Sequence, residues 1–277
     1  MSIDSAIALD TYKADKTAAN SNDSAATASV TKALRILDVF RSDGPVLGVS
    51  ELARKAGVAK STAFRLLALL EEADLVEREG RNWKLSWRLF ELGSSVQSGR
   101  PDALREIASP WLTDLYVKSG QVALLTILDN GEALCIEKVS GPMSTRLPVA
   151  VGTRLPANCS AAGKALLAFN RIDVVREAMS APLVRRTRYS IAEHGRFMQE
   201  LKRVRQGGVA RESEEVALGL VSVAAPVMIG VEVIAAVSVT GPATRFDMAA
   251  NEAHVRRAAH QMAQQLGSAH GKSGAER

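Results

Sequence analysis

Between residues 29 and 42 the apolar residues Val30, Ala33, Leu34, Leu37 and Phe40 recur at helical spacing, with Ser29 or Thr31 placed to cap the start. Ser42-Asp43-Gly44-Pro45 stops that helix. A short second helix, Glu51–Ala56, follows Ser50 and ends at Gly57. A third, about Lys60–Ala73, sets Ala63, Phe64, Leu67 and Leu70 on one face. Leu75–Arg78 and Trp83–Leu85, separated by Glu79-Gly80-Arg81-Asn82, read as a hairpin. Two short helices joined by a glycine turn and followed by a hairpin make a winged helix-turn-helix over 29–86. One more helix, about Trp87–Gln97, serves as a linker over 87–101 and stops at Ser98-Gly99-Arg100-Pro101, a domain boundary.

Beyond the boundary, residues 102–266 mix strands and helices. Asp102–Lys118 is helical. Gln121–Leu128 and Ala133–Val139 flank Asp129-Asn130-Gly131-Glu132, and Asn-Gly between apolar runs is a strong hairpin signal. Thr145–Val151 reads as a further strand, Ser160–Phe169 and Ala192–Gln206 as helices. Leu220–Met228 and Val231–Thr240 form a second hairpin around Ile229-Gly230, and Asp247–Leu266 is a closing helix. Hairpins with helices packed on them predict an α+β domain built on an antiparallel sheet. Residues 1–28 and 267–277 are polar, aperiodic and read as disordered or flexible tails.

Composition narrows the class. The 277 residues are 47% hydrophobic and 23% charged, ordinary for two globular domains. No run approaches the ~20 apolar residues of a membrane-spanning helix, since Gly219, Ser222 and Pro226 interrupt the longest, Val216–Met228. Met1–Ser29 carries four Asp and two Lys without an apolar core, so no secretory signal is expected. Two cysteines, Cys135 and Cys159, form no disulfide framework, and a cytoplasmic location is expected. The net charge of +5 permits nucleic-acid binding without arguing for it, and its distribution says more. Arg54, Lys55, Lys60 and Arg65 occur with no acid between Glu51 and Glu71, which predicts a local basic face.

In a helix-turn-helix the N-terminal end of the second helix reaches base edges in the major groove. Here that end offers Lys60, Ser61 and Thr62, with Arg65 a turn later and Arg54 on the preceding helix; Lys and Arg suit phosphate or guanine, and the hydroxyls suit either. Arg78, Arg81 and Lys84 on the hairpin are placed for the minor groove or backbone. Trp87, Leu89, Phe90, Leu92 and Val96 make the linker helix apolar on more than one side, as for packing against a second copy.

Catalytic signals are weak. Cys159-Ser160-Ala161-Ala162-Gly163-Lys164 looks like a phosphate loop, but Asn158 stands where the Walker motif needs glycine and Ala165 where it needs a hydroxyl. Ser160 and Lys164 are four apart rather than the three of S-x-x-K hydrolases. His194, His254, His260 and His270 are scattered without metal-ligand spacing, so neither metal nor cofactor is expected. The 160–164 segment reads instead as a helix start capped by Ser160, its small residues leaving N–H groups open to an anion. An enzyme carrying a winged-helix appendage would need a catalytic constellation within 102–266, and none is legible.

The residues now support a resemblance. S-V-T-K-A-L-R-I-L-D-V-F and V-S-E-L-A-R-K-A-G-V-A-K-S-T-A-F-R-L-L-A-L-L-E resemble the DNA-binding half of the IclR (isocitrate lyase regulator) family of bacterial transcription factors. G-T-R-L-P-A-N-C-S-A-A-G-K-A-L-L-A (152–168), E-S-E-E-V-A-L-G-L-V-S-V-A-A-P-V (212–227) and A-A-V-S-V-T-G-P (235–242) match its second half, so the likeness covers 29–266. It implies a GAF-like effector-binding domain, homodimers commonly paired into dimers of dimers, and a repressor of catabolic genes whose binding to double-stranded operator DNA a small organic acid modulates. It also implies pocket positions at Leu147, Leu155 and Leu220, at Ala161 and Ala162, and at Glu212, Ser222, Ser238 and Thr240. Glu212 replaces a shorter Asp of some members and Ser222 a Cys. A carboxylate at Glu212 repels an anion, so Glu212 is expected to bond a ligand donor, sit one turn away or carry a proton.

Overall fold

Gly57 turns the chain between the helices Val49–Ala56 and Lys60–Glu72. Its φ of +67° lies in the left-handed region that glycine reaches without cost, and its N–H closes the carbonyls of Ala53 and Arg54. The structure, a computed structural model, describes residues 27–40, 44–95, 104–142, 144, 147 and 149–273. By its contacts the chain divides into two compact units, 1–98 and 99–277.

The first unit runs α1 (27–40), β1 (Val46–Gly48), α2 (Val49–Ala56), α3 (Lys60–Glu72), β2 (Val76–Glu79), β3 (Asn82–Leu85) and α4 (Trp87–Ser95). The wing is a three-stranded antiparallel sheet in the order β1-β3-β2. β1 is too short to show a periodicity, and the sequence reading omits it. The core gathers Ile36, Val39 and Phe40 of α1, Leu52 of α2, Ala63, Leu66, Leu67 and Leu70 of α3, and Trp83 of the wing.

Three expectations for this unit need correction. Val30 and Leu34 are exposed, because the buried stripe of α1 runs through Ile36, Val39 and Phe40 instead. Thr31 does not cap α1, since the helix already includes residue 27 and the Thr31 hydroxyl donates to the Thr27 carbonyl within it. Phe64 is 51% exposed and Leu66 takes its place in the core. The buried stripe of α3 runs through Ala63, Leu66, Leu67 and Leu70, which turns Phe64 outward, where the Arg78 guanidinium lies 5.7 Å from its ring centre and 4.5 Å from that of Trp83. The predicted stop at Ser42-Asp43, the boundary at 98–101 and most of the N-terminal tail lie outside the described residues.

The second unit contains α5 (Leu104–Ser119), β4 (Val122–Asp129), β5 (Glu132–Val139), β6 (Arg154–Pro156), α6 (Ala161–Ala168), α7 (Ile172–Ala178), α8 (His194–Gly207), β7 (Ala210–Ser213), β8 (Leu220–Ile229), β9 (Glu232–Pro242) and α9 (Met248–Ser273). Its six strands form one antiparallel sheet ordered β6-β5-β4-β9-β8-β7. One face carries α5 and α9, with Leu112, Leu115, Val255 and Met262 packed on Val223, Val237 and Val239. The other carries α6 and α8, packed on Ala224 and Ala236. The α+β expectation holds.

The second hairpin turns at Gly230-Val231, one residue later than expected. The predicted strand over 145–151 does not form at Leu147, Val149, Ala150 or Val151; the pairing falls to Arg154–Pro156, which lies along Glu132–Leu134 of β5. The rest of that prediction lies outside the described residues. Residues 267–273, expected in a flexible tail, continue α9: Gly267 weakens a helix by only about 1 kcal/mol relative to alanine, and no proline follows to end it. Residues 274–277 lie outside the described residues.

Candidate functional site

Arg54, Lys60, Ser61, Arg65 and Arg81 are all exposed, and Thr62 is half-buried. Lys60, Ser61 and Thr62 form the first turn of α3, Arg65 lies about one turn on, and Arg81 occupies the wing turn beside Gly80. Among the described residues no hydrogen bond or ion pair engages the side chains of Arg54, Lys60, Arg65 or Arg81. Arg78 and Lys84 differ. Arg78 pairs with Glu71 at 3.3 Å while stacking on Trp83, and so braces the wing against α3. Lys84 lies 3.2 Å from Glu77 and 3.7 Å from Glu79, and those carboxylates hold its ammonium above the ordinary lysine range.

In the second unit the nine positions expected at a pocket line one cleft: Leu147, Leu155, Ala161, Ala162, Glu212, Leu220, Ser222, Ser238 and Thr240. Leu124, Thr126, Ala133, Cys135, Val149, Ser160 and Val216 complete its wall, and the space between these residues, open mouth included, is about 560 Å³. The sequence reading missed these seven. Those on β4 and β5 alternate as strand residues should, but a bulge sets the phase. Leu125 pairs with Glu137 and Thr126 with Cys135, leaving Ile136 as the extra residue. Past the bulge the small side chains of Ala133 and Cys135 therefore face the cleft, while Ile136 packs into the opposite core. Burial pushes the Cys135 thiol up to about 11, so it stays neutral.

The start of α6 forms one end of the cleft. The Ser160 hydroxyl accepts from the Gly163 N–H at 3.1 Å, and the Lys164 N–H returns to the Ser160 carbonyl at 3.0 Å. The N–H groups left over in this first turn belong to Ala161 and Ala162, both buried and both at the cleft wall. Ala162 is followed by Gly163 because α6 crosses the chain closely there: a Cβ at 163 would stand 2.4 Å from the Ala157 Cα.

Glu212 meets donors of the protein itself where a ligand donor was one of the expectations. It is 1% exposed, and its carboxylate is satisfied from within the protein. Oε1 accepts from the N–H groups of Glu215 (2.6 Å) and Val216 (3.1 Å), and Oε2 accepts from the Ser222 hydroxyl (2.9 Å). Glu212 and Ser222 thus bind each other and the 215–216 backbone, and the Ser222 hydroxyl proton is not free for a ligand. Burial nonetheless raises the Glu212 carboxyl above its ordinary value, with the Glu215 charge adding to the rise and the three donors opposing it. A raised folded value means the contribution to stability is full below about pH 4.5 and is lost as pH climbs through the folded value. Glu212→Gln removes this titration while keeping an acceptor for the two N–H groups. Urea unfolding should show wild type losing stability relative to the variant as pH rises from about 4.5 to 7; a constant difference would contradict the assigned burial cost.

Lys164 is 1% exposed and is not part of the cleft wall. Its Nζ donates to Glu215 Oε1 at 2.5 Å and to the Arg211 carbonyl at 3.1 Å. Asn158 holds the carbonyls of Val184 and Ile191, and Ser190 donates to the Glu215 carbonyl. This buried polar network ties α6 to the strand that carries Glu212. It answers no catalytic pattern.

The family model described as "Bacterial transcriptional regulator IclR C-terminal" matches residues 100–268, and that of the "IclR helix-turn-helix domain" matches 29–80. The chain belongs to the IclR family. It is a DNA-binding transcription regulator rather than an enzyme. Over 228 residues, 79% of this chain and 88% of the relative, it is 33% identical to the HTH-type transcriptional regulator XynR of Escherichia coli. It is 30% identical over 224 residues to the transcriptional repressor IclR of the same organism, covering 79% of this chain and 81% of that one. The crystal structure of Thermotoga maritima IclR matches with a TM-score of 0.69 at 27% identity, over 87% of this chain and 99% of that one. An IclR homolog from Microbacterium hydrocarbonoxydans, complexed with 4-hydroxybenzoate, shares the fold with a TM-score of 0.76 at 24% identity, over 86% and 98% of the two chains. Among the described residues no helix is long and apolar enough to cross a membrane.

Proposed function

We propose that this IclR-family regulator is a repressor whose hold on operator DNA is set by a small organic acid bound in the cleft of the second unit. The observation that supports this reading most is the cleft's make-up: buried, unpaired N–H groups of Ala161 and Ala162 at one end, an apolar body of Leu124, Leu147, Leu155 and Leu220, and hydroxyls of Ser238 and Thr240 on the floor. A helix N-terminus favours an anion, and a carboxylate fits two adjacent N–H groups. Because Glu212 is occupied by three protein donors, it is a wall of the site and not a ligand-binding group. The IclR homolog holding 4-hydroxybenzoate and the repressor IclR of Escherichia coli support the same reading.

On this reading Lys60, Ser61, Thr62 and Arg65 enter the major groove of double-stranded operator DNA, with Arg54 and Arg81 at the backbone, while Arg78 acts chiefly as the brace of the wing. Trp87, 78% exposed, and Phe90, 69% exposed, stand edge to face on α4 and form the apolar face through which two copies associate. The DNA half is tested on a duplex from just upstream of the encoding gene. Arg65→Ala should cost about 1–3 kcal/mol on that duplex and little on random DNA. Lys60→Ala should weaken both alike and lower the salt slope by about one. Wild-type affinity in both variants would contradict the placing of α3.

A further inference from the structure

Two side-chain hydroxyls of buried residues on the cleft floor have no bonding partner among the described residues. Thr126 on β4 is 4% exposed and Ser238 on β9 is 2% exposed, and both line the cleft. Their strand neighbours explain why. Thr126 stands between Ala236 on β9 and Cys135 on β5. Ala236 offers only a methyl group, and the Cys135 thiol donates to the Glu137 carbonyl at 3.4 Å. Ser238 stands between Leu124 and Ala224, which offer hydrocarbon alone. The register makes Thr126 and Ser238 diagonal neighbours across β4 and β9, within reach of one polar group between them. With protein on their other sides, these hydroxyls open onto the cleft and are available to what occupies it.

The bulge at Leu125–Thr126 supports the same conclusion. It sets Cys135 beside Thr126 and turns Ile136 to the far core, so the floor next to Thr126 stays low. With Glu212 and Ser222 bonded to each other, the proton-donating capacity left on the floor rests with Thr126, Ser238 and Thr240. We infer that Thr126, with Ser238, reads a hydroxyl of the bound acid and sets a preference of this cleft for hydroxylated organic acids over their unsubstituted parents. The inference rests on the cleft being the effector site. It adds Thr126 as a specificity-determining residue and places the discriminating contact on β4 and β9 instead of on Glu212.

The test is calorimetric titration of the full chain with benzoate, 3-hydroxybenzoate and 4-hydroxybenzoate. Thr126→Val keeps the shape and deletes the hydroxyl, while Thr126→Ser keeps the hydroxyl. Wild type should bind at least one hydroxy isomer about fivefold or more tighter than benzoate, the scale of one net hydrogen bond. In Thr126→Val that ratio should fall close to one with benzoate affinity nearly unchanged, and Thr126→Ser should restore it. A ratio that persists in Thr126→Val overturns the inference and leaves the cleft reading standing. Equal weakening of all three acids in Thr126→Val assigns the residue a role in shape and likewise overturns it. Failure of wild type to bind any of the three overturns both.

Discussion

Replacing Gly163 by alanine is expected to destabilise the second unit strongly, although a glycine-to-alanine change inside a helix ordinarily stabilises by roughly 0.5–1 kcal/mol. The sign reverses because α6 passes directly over the 157–160 turn. The added Cβ would lie 2.4 Å from the Ala157 Cα, 2.6 Å from its carbonyl oxygen and 2.7 Å from Ser160 Oγ, and two of these are backbone atoms that cannot rotate away. Overpacking of this kind typically costs about 1–3 kcal/mol and occasionally more, and contact with rigid backbone places this case at or above the upper end. Relief requires α6 to lift, which also displaces Ala161 and Ala162 from the cleft. Chemical unfolding should register the loss. An unchanged or raised midpoint would mean that α6 does not sit against Ala157 as described.

Lys164→Met should destabilise by about 3–5 kcal/mol, because it leaves Glu215 as a buried carboxylate with no cation. Glu215 Oε2 already lacks a partner, and burial holds the carboxyl above its ordinary value even with the Lys164 ammonium pulling it down. The double change Lys164→Met with Glu215→Leu should recover most of the loss, since two apolar side chains remove both charges together. A double-mutant cycle from urea unfolding measures the coupling. A single variant that costs under about 1 kcal/mol would show that the pair is not buried as the structure places it.

What the sequence revealed and what it concealed follow from the length scale of each signal. The helix-turn-helix was legible because Gly57 and the apolar spacing of α3 are local features, and the first hairpin of the second unit because Asn130 and Gly131, at φ of +50° and +75°, suit a two-residue turn. β1, β6 and β7 span only three or four residues, too few to show a period. Phe64 misled because its spacing fits the core while the buried stripe of α3 runs through Leu66 and turns it outward. Lys164 misled in the opposite way: a charged residue reads as solvated unless its distant partner, Glu215, is known. The nine expected cleft positions came through family resemblance, and they do converge on one cleft. The bulge that brings Thr126 and Cys135 beside them leaves no trace in the alternation of β4 or β5, since it depends on the pairing of the two strands.

The central claim is that one chain couples a cleft in its second unit to DNA reading by its first. Fluorescence anisotropy of the full chain on the duplex from upstream of its own gene, at fixed salt, with and without saturating 4-hydroxybenzoate, tests it most directly. Coupling of this kind typically changes affinity about 5- to 150-fold, and under the proposed reading of a repressor released by its ligand the chain should lose affinity for this duplex while keeping its weak hold on random DNA. Calorimetrically confirmed occupancy of the cleft with no change in operator affinity would contradict the account.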